Sequence, residues 1–185
     1  MAVIVPIALF AAAVIWSIFI YNNLVRVRVR TREAWSGIEV QLKRRLSLIP
    51  NLVETVRGYA THEHEVFAEV AQARGALAKA VEPAAVAAAD GLLTGALGRL
   101  MAVAENYPQL QAARNFSQLQ AQLSDTEEKI AYARQFYNLN AMAYNTAIQS
   151  FPSNLLARQY HFEPVMFFEA EPTAAQDIKV NFTAA

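Results

Sequence analysis

A chain of 185 residues in which 55% of positions are hydrophobic and 17% are charged is too apolar for a disordered tail and too short for more than one or two domains. Sixteen basic and sixteen acidic side chains give a formal net charge of zero, which argues against a nucleic-acid binder resting on an excess of Lys and Arg. No cysteine is present, so a disulfide framework, a thiol nucleophile, a Cys-built metal centre and a cysteine-linked lipid anchor are all excluded.

The zero hides an uneven distribution. Residues 1–57 carry eight basic and three acidic side chains, whereas residues 58–185 carry eight and thirteen. Residues 1–25 contain no charge, and the run 3–21 is broken only by Pro6 and Ser17. Its 19 positions span roughly 28 Å as a helix, close to the hydrocarbon thickness of a bilayer. No basic segment precedes it and no cleavage box follows, so it reads as an uncleaved signal anchor over residues 1–25, not a removed signal peptide. Trp16 and Tyr21 suit the membrane interface. Arg26, Arg28, Arg30 and Arg32 follow at once, and the positive-inside rule then puts the larger C-terminal part in the cytoplasm, with the periplasmic or extracellular side as the alternative. Spaced two apart on a helix, the four arginines form a belt suited to lipid head groups. The Val-Arg alternation also has the period of a strand, but the unbroken approach from the apolar run favours helix.

Past the belt, apolar positions recur in steps of three and four at Trp35, Ile38, Leu42, Leu46 and Ile49, then at Leu52, Val56, Ala60, Phe67, Val70 and Leu77. This is the pattern of long amphipathic helices packed side by side. Pro50 interrupts the seam, which predicts one helix ending near Arg45 and another starting with Ser47 as N-cap; a kinked single helix is the alternative. Pro83 opens an alanine-rich helix punctuated by Gly91, Gly95 and Gly98, where small residues would let a neighbouring helix approach closely. Asn106-Tyr107-Pro108 ends it. The last long helix carries a five-heptad seam of Phe116, Leu119, Leu123, Thr126, Ile130, Ala133, Tyr137, Asn140, Tyr144, Ala147 and Phe151. Asn140 reads as a registry residue, with Tyr137, Tyr144 and Asn106 as candidates for a shared buried polar layer. The expectation is an all-α protein: a transmembrane helix, an up-and-down four-helix bundle over residues 26–151, and an aromatic C-terminal segment and tail over 152–185.

Several long motifs resemble the LemA family. They include Tyr21-Asn22-Asn23-Leu24-Val25, Glu33-Ala34-Trp35-Ser36-Gly37-Ile38, Leu48-Ile49-Pro50-Asn51-Leu52-Val53-Glu54, Ala102-Val103-Ala104-Glu105-Asn106-Tyr107-Pro108, Tyr144-Asn145 and Phe151-Pro152-Ser153-Asn154. The resemblance runs from about residue 20 to Phe182. It implies a bacterial membrane protein with one N-terminal transmembrane helix and a four-helix bundle, and it carries no catalytic residues. Ser47 stands where an acidic residue is common in the family, and Asn140 and Met142 lie in a stretch that is usually more charged. Some relatives carry a lipobox cysteine, which this chain lacks.

One cluster has the look of chemistry, Thr61-His62-Glu63-His64-Glu65. A zincin helix needs His-Glu-x-x-His, whereas His62 and His64 are two apart and diverge by about 200° on a helix. No Glu-x-x-His pair occurs for a di-metal bundle, and the glycines are followed by no phosphate-binding Lys-Ser/Thr. His161 is isolated between Tyr160 and Phe162. The reading is a non-enzyme without cofactor or metal: a membrane-anchored scaffold or adaptor that meets membrane lipids, self-associates and takes a membrane protein partner, with no role for nucleic acid. The rival is a metal-binding sensor or metal-dependent hydrolase using His62, His64 and bundle carboxylates. Two groups of interaction residues are expected. Trp16, Tyr21, Arg26, Arg28, Arg30 and Arg32 would meet the membrane. The aromatic segment with Phe151, Tyr160, Phe162, Phe167 and Phe168 would rest on the membrane interface, on a second protomer or on its own bundle, while Ile178, Val180 and Phe182 could add to another chain as a strand.

Overall fold

One helix, α1, runs without interruption through Ile4–Arg57, a length of about 80 Å at the usual rise. The computed structural model describes residues 4–168, and every regular element among them is helical: α1, α2 (His64–Lys79), α3 (Pro83–Glu105), α4 (Pro108–Gln111), α5 (Arg114–Gln149) and α6 (Ser153–Gln159). The expected class, all-helical with long helices packed up and down, is the class observed. The Val-Arg alternation at residues 25–30 is helix. The proposed terminal strand with Ile178, Val180 and Phe182 lies outside the described residues.

The chain divides into two compact units. The first lies within Met1–Leu52 and Ser117–Phe167, and its frame is the antiparallel pair α1 and α5. As numbers rise along α1 they fall along α5: Leu24 packs with Tyr144 and Ile148, Thr31 Oγ1 meets the Asn140 carbonyl at 3.2 Å, Trp35 stacks edge-on to Tyr137, and Arg45 pairs with Glu127 at 3.0 Å. Arg45 is buried, and its partner carboxylate is half exposed. An arginine held this way is costly to orphan, so the pair fixes the register of the two helices more than it adds net stability. Beside it Arg44 and Lys129 both bind Asp125, and the hydrogen bond from Lys129 is the main reason its carboxyl lies below the usual carboxylate range.

The second unit comprises Val53–Phe116 together with Phe168. Its frame is the hairpin of α2 and α3, joined by residues 80–82 and started by Pro83 in the first turn of α3. Proline is at home there because that N–H has no helical partner to lose. Phe67, Val70, Ala73 and Leu77 of α2 are buried, as are Val86, Leu93, Leu97 and Leu100 of α3, and Glu69 binds Arg99 across the pair. α3 is apolar enough to suggest a second span, but its apolar face is the core of this unit.

Four expectations need correction. First, no helix ends near Arg45. Ser47 Oγ donates back to the Arg44 carbonyl inside α1, and the chain breaks instead at residues 58–63. Leu42, Ile49, Leu52 and Val56 are all buried on either side of Pro50. Each such burial contributes about 1.5–3 kcal/mol, against about 3 kcal/mol for an internal proline, so the continuous helix wins. Second, the glycines of α3 are exposed, and a Cβ added at Gly95 or Gly98 would meet nothing within 4 Å, so they permit no close helix approach. Third, the α5 seam does not keep a strict heptad: after Tyr137 the buried positions are Ala141, Tyr144 and Ile148. A straight helix drifts by about 20° per heptad, which carries the buried face from residues 140 and 147 onto their successors. Asn140 is therefore no registry residue; its Nδ2 donates to the Phe136 carbonyl of its own helix. Fourth, Phe151 lies beyond the end of α5 and is 80% exposed.

Because Pro50 is itself exposed, Pro50→Ala restores a backbone bond at little packing cost. Thermal or denaturant unfolding of the full chain in detergent is expected to show a gain of up to about 3 kcal/mol; a loss would mean that the proline shapes α1 in a way the packing needs.

Candidate membrane-proximal site

Before Leu24, no described residue of α1 is buried. Ile4, Ile7, Leu9, Phe10, Ile15 and Phe19 are all more than half exposed. Apolar area of this extent on a helix of spanning length fits hydrocarbon and does not fit water. The Ser17 hydroxyl in this stretch donates to the Ala13 carbonyl at 2.8 Å.

At the exit of this stretch the first unit closes on itself. α6 and the residues after it fold back so that Leu24, Tyr144, Ile148, Ala157 and Phe162 form a core, with Ile20, Val27, Leu156 and Val165 packed against it. Tyr21 lies edge-on to Tyr160 at 4.9 Å and to Phe162 at 6.0 Å between ring centroids. The Arg28 guanidinium sits over the Phe162 ring at 5.4 Å.

Three α5 side chains hold the returning strand of chain. Tyr137 Oη donates to the Met166 carbonyl at 2.7 Å and Tyr144 Oη to the Glu163 carbonyl at 2.8 Å. The Asn145 amide accepts from the Val165 N–H at 2.9 Å and donates to the Val165 carbonyl at 2.8 Å. That two-point pairing satisfies both backbone polar groups of a residue that lies in no regular element. Each such bond contributes about 0.5–1.5 kcal/mol net, and a buried partner left without it costs about 1–3 kcal/mol. Burial raises the pKa of both phenols above the ordinary tyrosine value; the field of Arg28 and Arg32 partly offsets this at Tyr144. The stability they confer is complete below about pH 10 and is lost as the pH rises through their higher folded values.

α6 ends in a Schellman motif. The Phe162 N–H bonds the Ala157 carbonyl at 2.9 Å, the His161 N–H bonds the Arg158 carbonyl at 3.4 Å, and Phe162 and Ala157 share the core. The left-handed position of this motif is occupied by His161, at φ 52°, where glycine would carry no Cβ penalty.

Two concavities result. One, of about 580 Å³, runs along the apolar stretch between Phe10, Val14, Ile18 and Tyr21 of α1 and Leu156 and Tyr160. The other, of about 230 Å³, is lined by Arg28, Thr31, Arg32, Tyr144, His161 and Glu163. Of the sequence-predicted interface residues, Tyr21, Arg28 and Arg32 are brought together here. Trp16, Arg26 and Arg30 are exposed and take no part in either concavity. The aromatic segment divides: Phe162 and Phe168 are buried, Phe151 and Tyr160 are exposed, and Phe167 is partly so at 38%. Tyr137 and Tyr144 are polar partners as expected, but of tail carbonyls and not of Asn140; Asn106 belongs to the other unit. His62 and His64 are both exposed, and the described residues contain no group of three or more His, Asp or Glu able to hold a metal ion. Sequence reasoning gave Asn145 no role of its own and set His161 aside as isolated. Asn145 lies beside Tyr144 in a quoted motif, whereas His161 gives no local signal because its meaning depends on a turn and on a helix 130 residues away.

A family model described as LemA family matches residues 34–182. Among curated relatives, magnetosome protein MamQ of Magnetospirillum gryphiswaldense and magnetosome protein MamQ 2 of Paramagnetospirillum magneticum are each 31% identical over 178 residues, covering 82% of this chain. This chain spans 65% of the length of each of those relatives. Protein LemA of Metamycoplasma hominis is 26% identical over 161 residues, covering 86% of this chain and 74% of its own.

Asn145→Ala removes both bonds to Val165, and Tyr144→Phe orphans the Glu163 carbonyl. Hydrogen exchange is expected to accelerate at Val165 by about tenfold or more in Asn145→Ala while α2 and α3 keep their protection. Unchanged exchange at Val165 would mean that packing alone holds the segment.

Proposed function

This chain belongs to the LemA family and is a membrane-associated helical protein, and from that premise we propose that it is a single-pass scaffold or adaptor of the cell membrane, with its helical units on the cytoplasmic side. One observation carries the reading: an apolar helical stretch without a buried residue continues, with no hinge, into a helix packed along its partner α5. A hingeless junction transmits position and orientation from bilayer to protein, which is what a scaffold requires. The four arginines just past the stretch support the cytoplasmic orientation.

Self-association is part of the proposal, with a second copy of this chain as the occupant of an exposed face of α5. Tyr132, Phe136, Leu139 and Ala143 step by four, three and four residues along that face, and the Tyr132 and Phe136 rings stack at 6.5 Å. Repeated four-three spacing is what a helix needs to meet its like. No enzymatic step enters the proposal. The metal-dependent alternative rests on His62 and His64, and no observation favours it; stoichiometric metal in the purified chain would reverse the choice.

The absence of cysteine allows single-site labelling. Gly98→Cys, exposed on α3, is expected to react with a membrane-impermeant maleimide only after cell lysis, and the chain is expected to resist alkaline extraction from membranes. Labelling of intact cells would reverse the orientation. Mass measurement in mild detergent is expected to give an oligomer that Phe136→Asp with Leu139→Asp reduces to monomer; a wild-type monomer would remove self-association from the account.

A further inference from the structure

We propose that the membrane-proximal end of the first unit is a binding site for one anionic phospholipid, its phosphate held by Arg28, Arg32 and His161 and an acyl chain laid in the groove between α1 and α6. This rests on the reading of residues 4–21 as membrane-spanning.

The order of the two concavities along α1 is the order of the parts of a phospholipid. The apolar groove from Phe10 to Tyr21 lies within the spanning stretch and carries no charged lining. Tyr21, Tyr160 and Phe162 form an aromatic shelf at its end. Arg28 follows Tyr21 by seven residues, about 10 Å along the axis, which carries it past the hydrocarbon edge to head-group level, the polar zone of each leaflet being about 5–8 Å deep.

The pocket is built and not merely basic. Arg28 and Arg32 stand one turn apart on one face, and Arg28 is half-buried with its guanidinium braced over Phe162. Among the described residues neither arginine forms an ion pair that neutralises it. Glu163 lines the same pocket and offsets one of the two arginine charges, so it disfavours highly charged anions and leaves a singly charged phosphodiester matched. His161 is the second, independent sign. It occupies the left-handed position that glycine fills without a Cβ penalty, and it lines the pocket, which glycine could not do with a hydrogen-bonding side chain. Arg26 and Arg30, equal in charge and only two residues away, are the internal control because they do not line the pocket.

The test uses the full chain purified in mild detergent, with native mass spectrometry counting retained lipid after addition of phosphatidylglycerol, or of phosphatidylcholine with the same chains. Wild type is expected to retain one phosphatidylglycerol in preference to phosphatidylcholine. Arg28→Gln with Arg32→Gln is expected to lower retention about tenfold or more, and Arg26→Gln with Arg30→Gln to leave it within about twofold. Arg32→Gln alone, which disturbs no packing at Phe162, is expected to lower it in the same direction. His161→Gly is expected to raise the unfolding temperature while weakening retention, a split that a purely structural role would not give. Equal losses from the two arginine pairs, or equal retention of the two lipids, would overturn the proposal. Displacement of the lipid by inorganic phosphate at a similar concentration would make the pocket a free-phosphate site and overturn its lipid part. A chain released from membranes by alkali refutes the spanning helix itself; a chain that stays integral but binds lipid alike in all variants refutes only the site.

Discussion

The pairing of Tyr137, Tyr144 and Asn145 with the backbone of residues 163–166 is the constraint on which the membrane-proximal end depends. Backbone outside any regular element has no ladder of its own, so its polar groups must find side chains or water. Three α5 side chains supply the partners, and in doing so fix where the chain stands after α6. Phe162 is thereby held in the core against Leu24, Tyr160 against Tyr21, and His161 beside Arg28 and Arg32. Neither concavity would keep its second wall without that clasp.

The clasp works because α1 and α5 share one register, and their register is set by interactions of different kinds along their length. Near the membrane it is apolar packing; further along it is a threonine hydroxyl on a carbonyl, then an aromatic edge, then a buried arginine paired with a carboxylate. Leu and Ile contacts alone tolerate slippage by a turn, whereas Arg45 shifted by a turn would lose Glu127 and stay buried. The continuity of α1 across Pro50 belongs to the same balance, in which several buried side chains outweigh one lost backbone bond.

The class of the fold was legible in the sequence because seams of three and four repeat for most of its length, and so was the long apolar helix, where uncharged residues run for a bilayer's thickness. Pro83 and Asn106-Tyr107-Pro108 mark the ends of α3 as read. Pro50 misled because proline states a local cost and says nothing of the burial on both sides of it. Asn140 and Phe151 misled because a heptad extended by rule does not drift as a helix does. The site was only half readable. Arginines beside an apolar helix suggest a membrane surface, but which two of the four line the pocket is decided by where α6 returns, and that return is a long-range fact with no local pattern. His161 is invisible for the same reason, since its strain exists only once the helix before it has ended.

The central claim is that α6 and the aromatic residues flanking it sit at the bilayer surface against the exit of α1. A spin label at Leu155, exposed on α6, reports its depth directly when the full chain is placed in lipid nanodiscs and relaxation by oxygen is compared with relaxation by a water-soluble nickel chelate. The account predicts oxygen-dominated relaxation at residue 155, near the depth of a label at Tyr21, and nickel-dominated relaxation at Gly98 on α3. Water-like relaxation at residue 155 equal to that at Gly98 would contradict it.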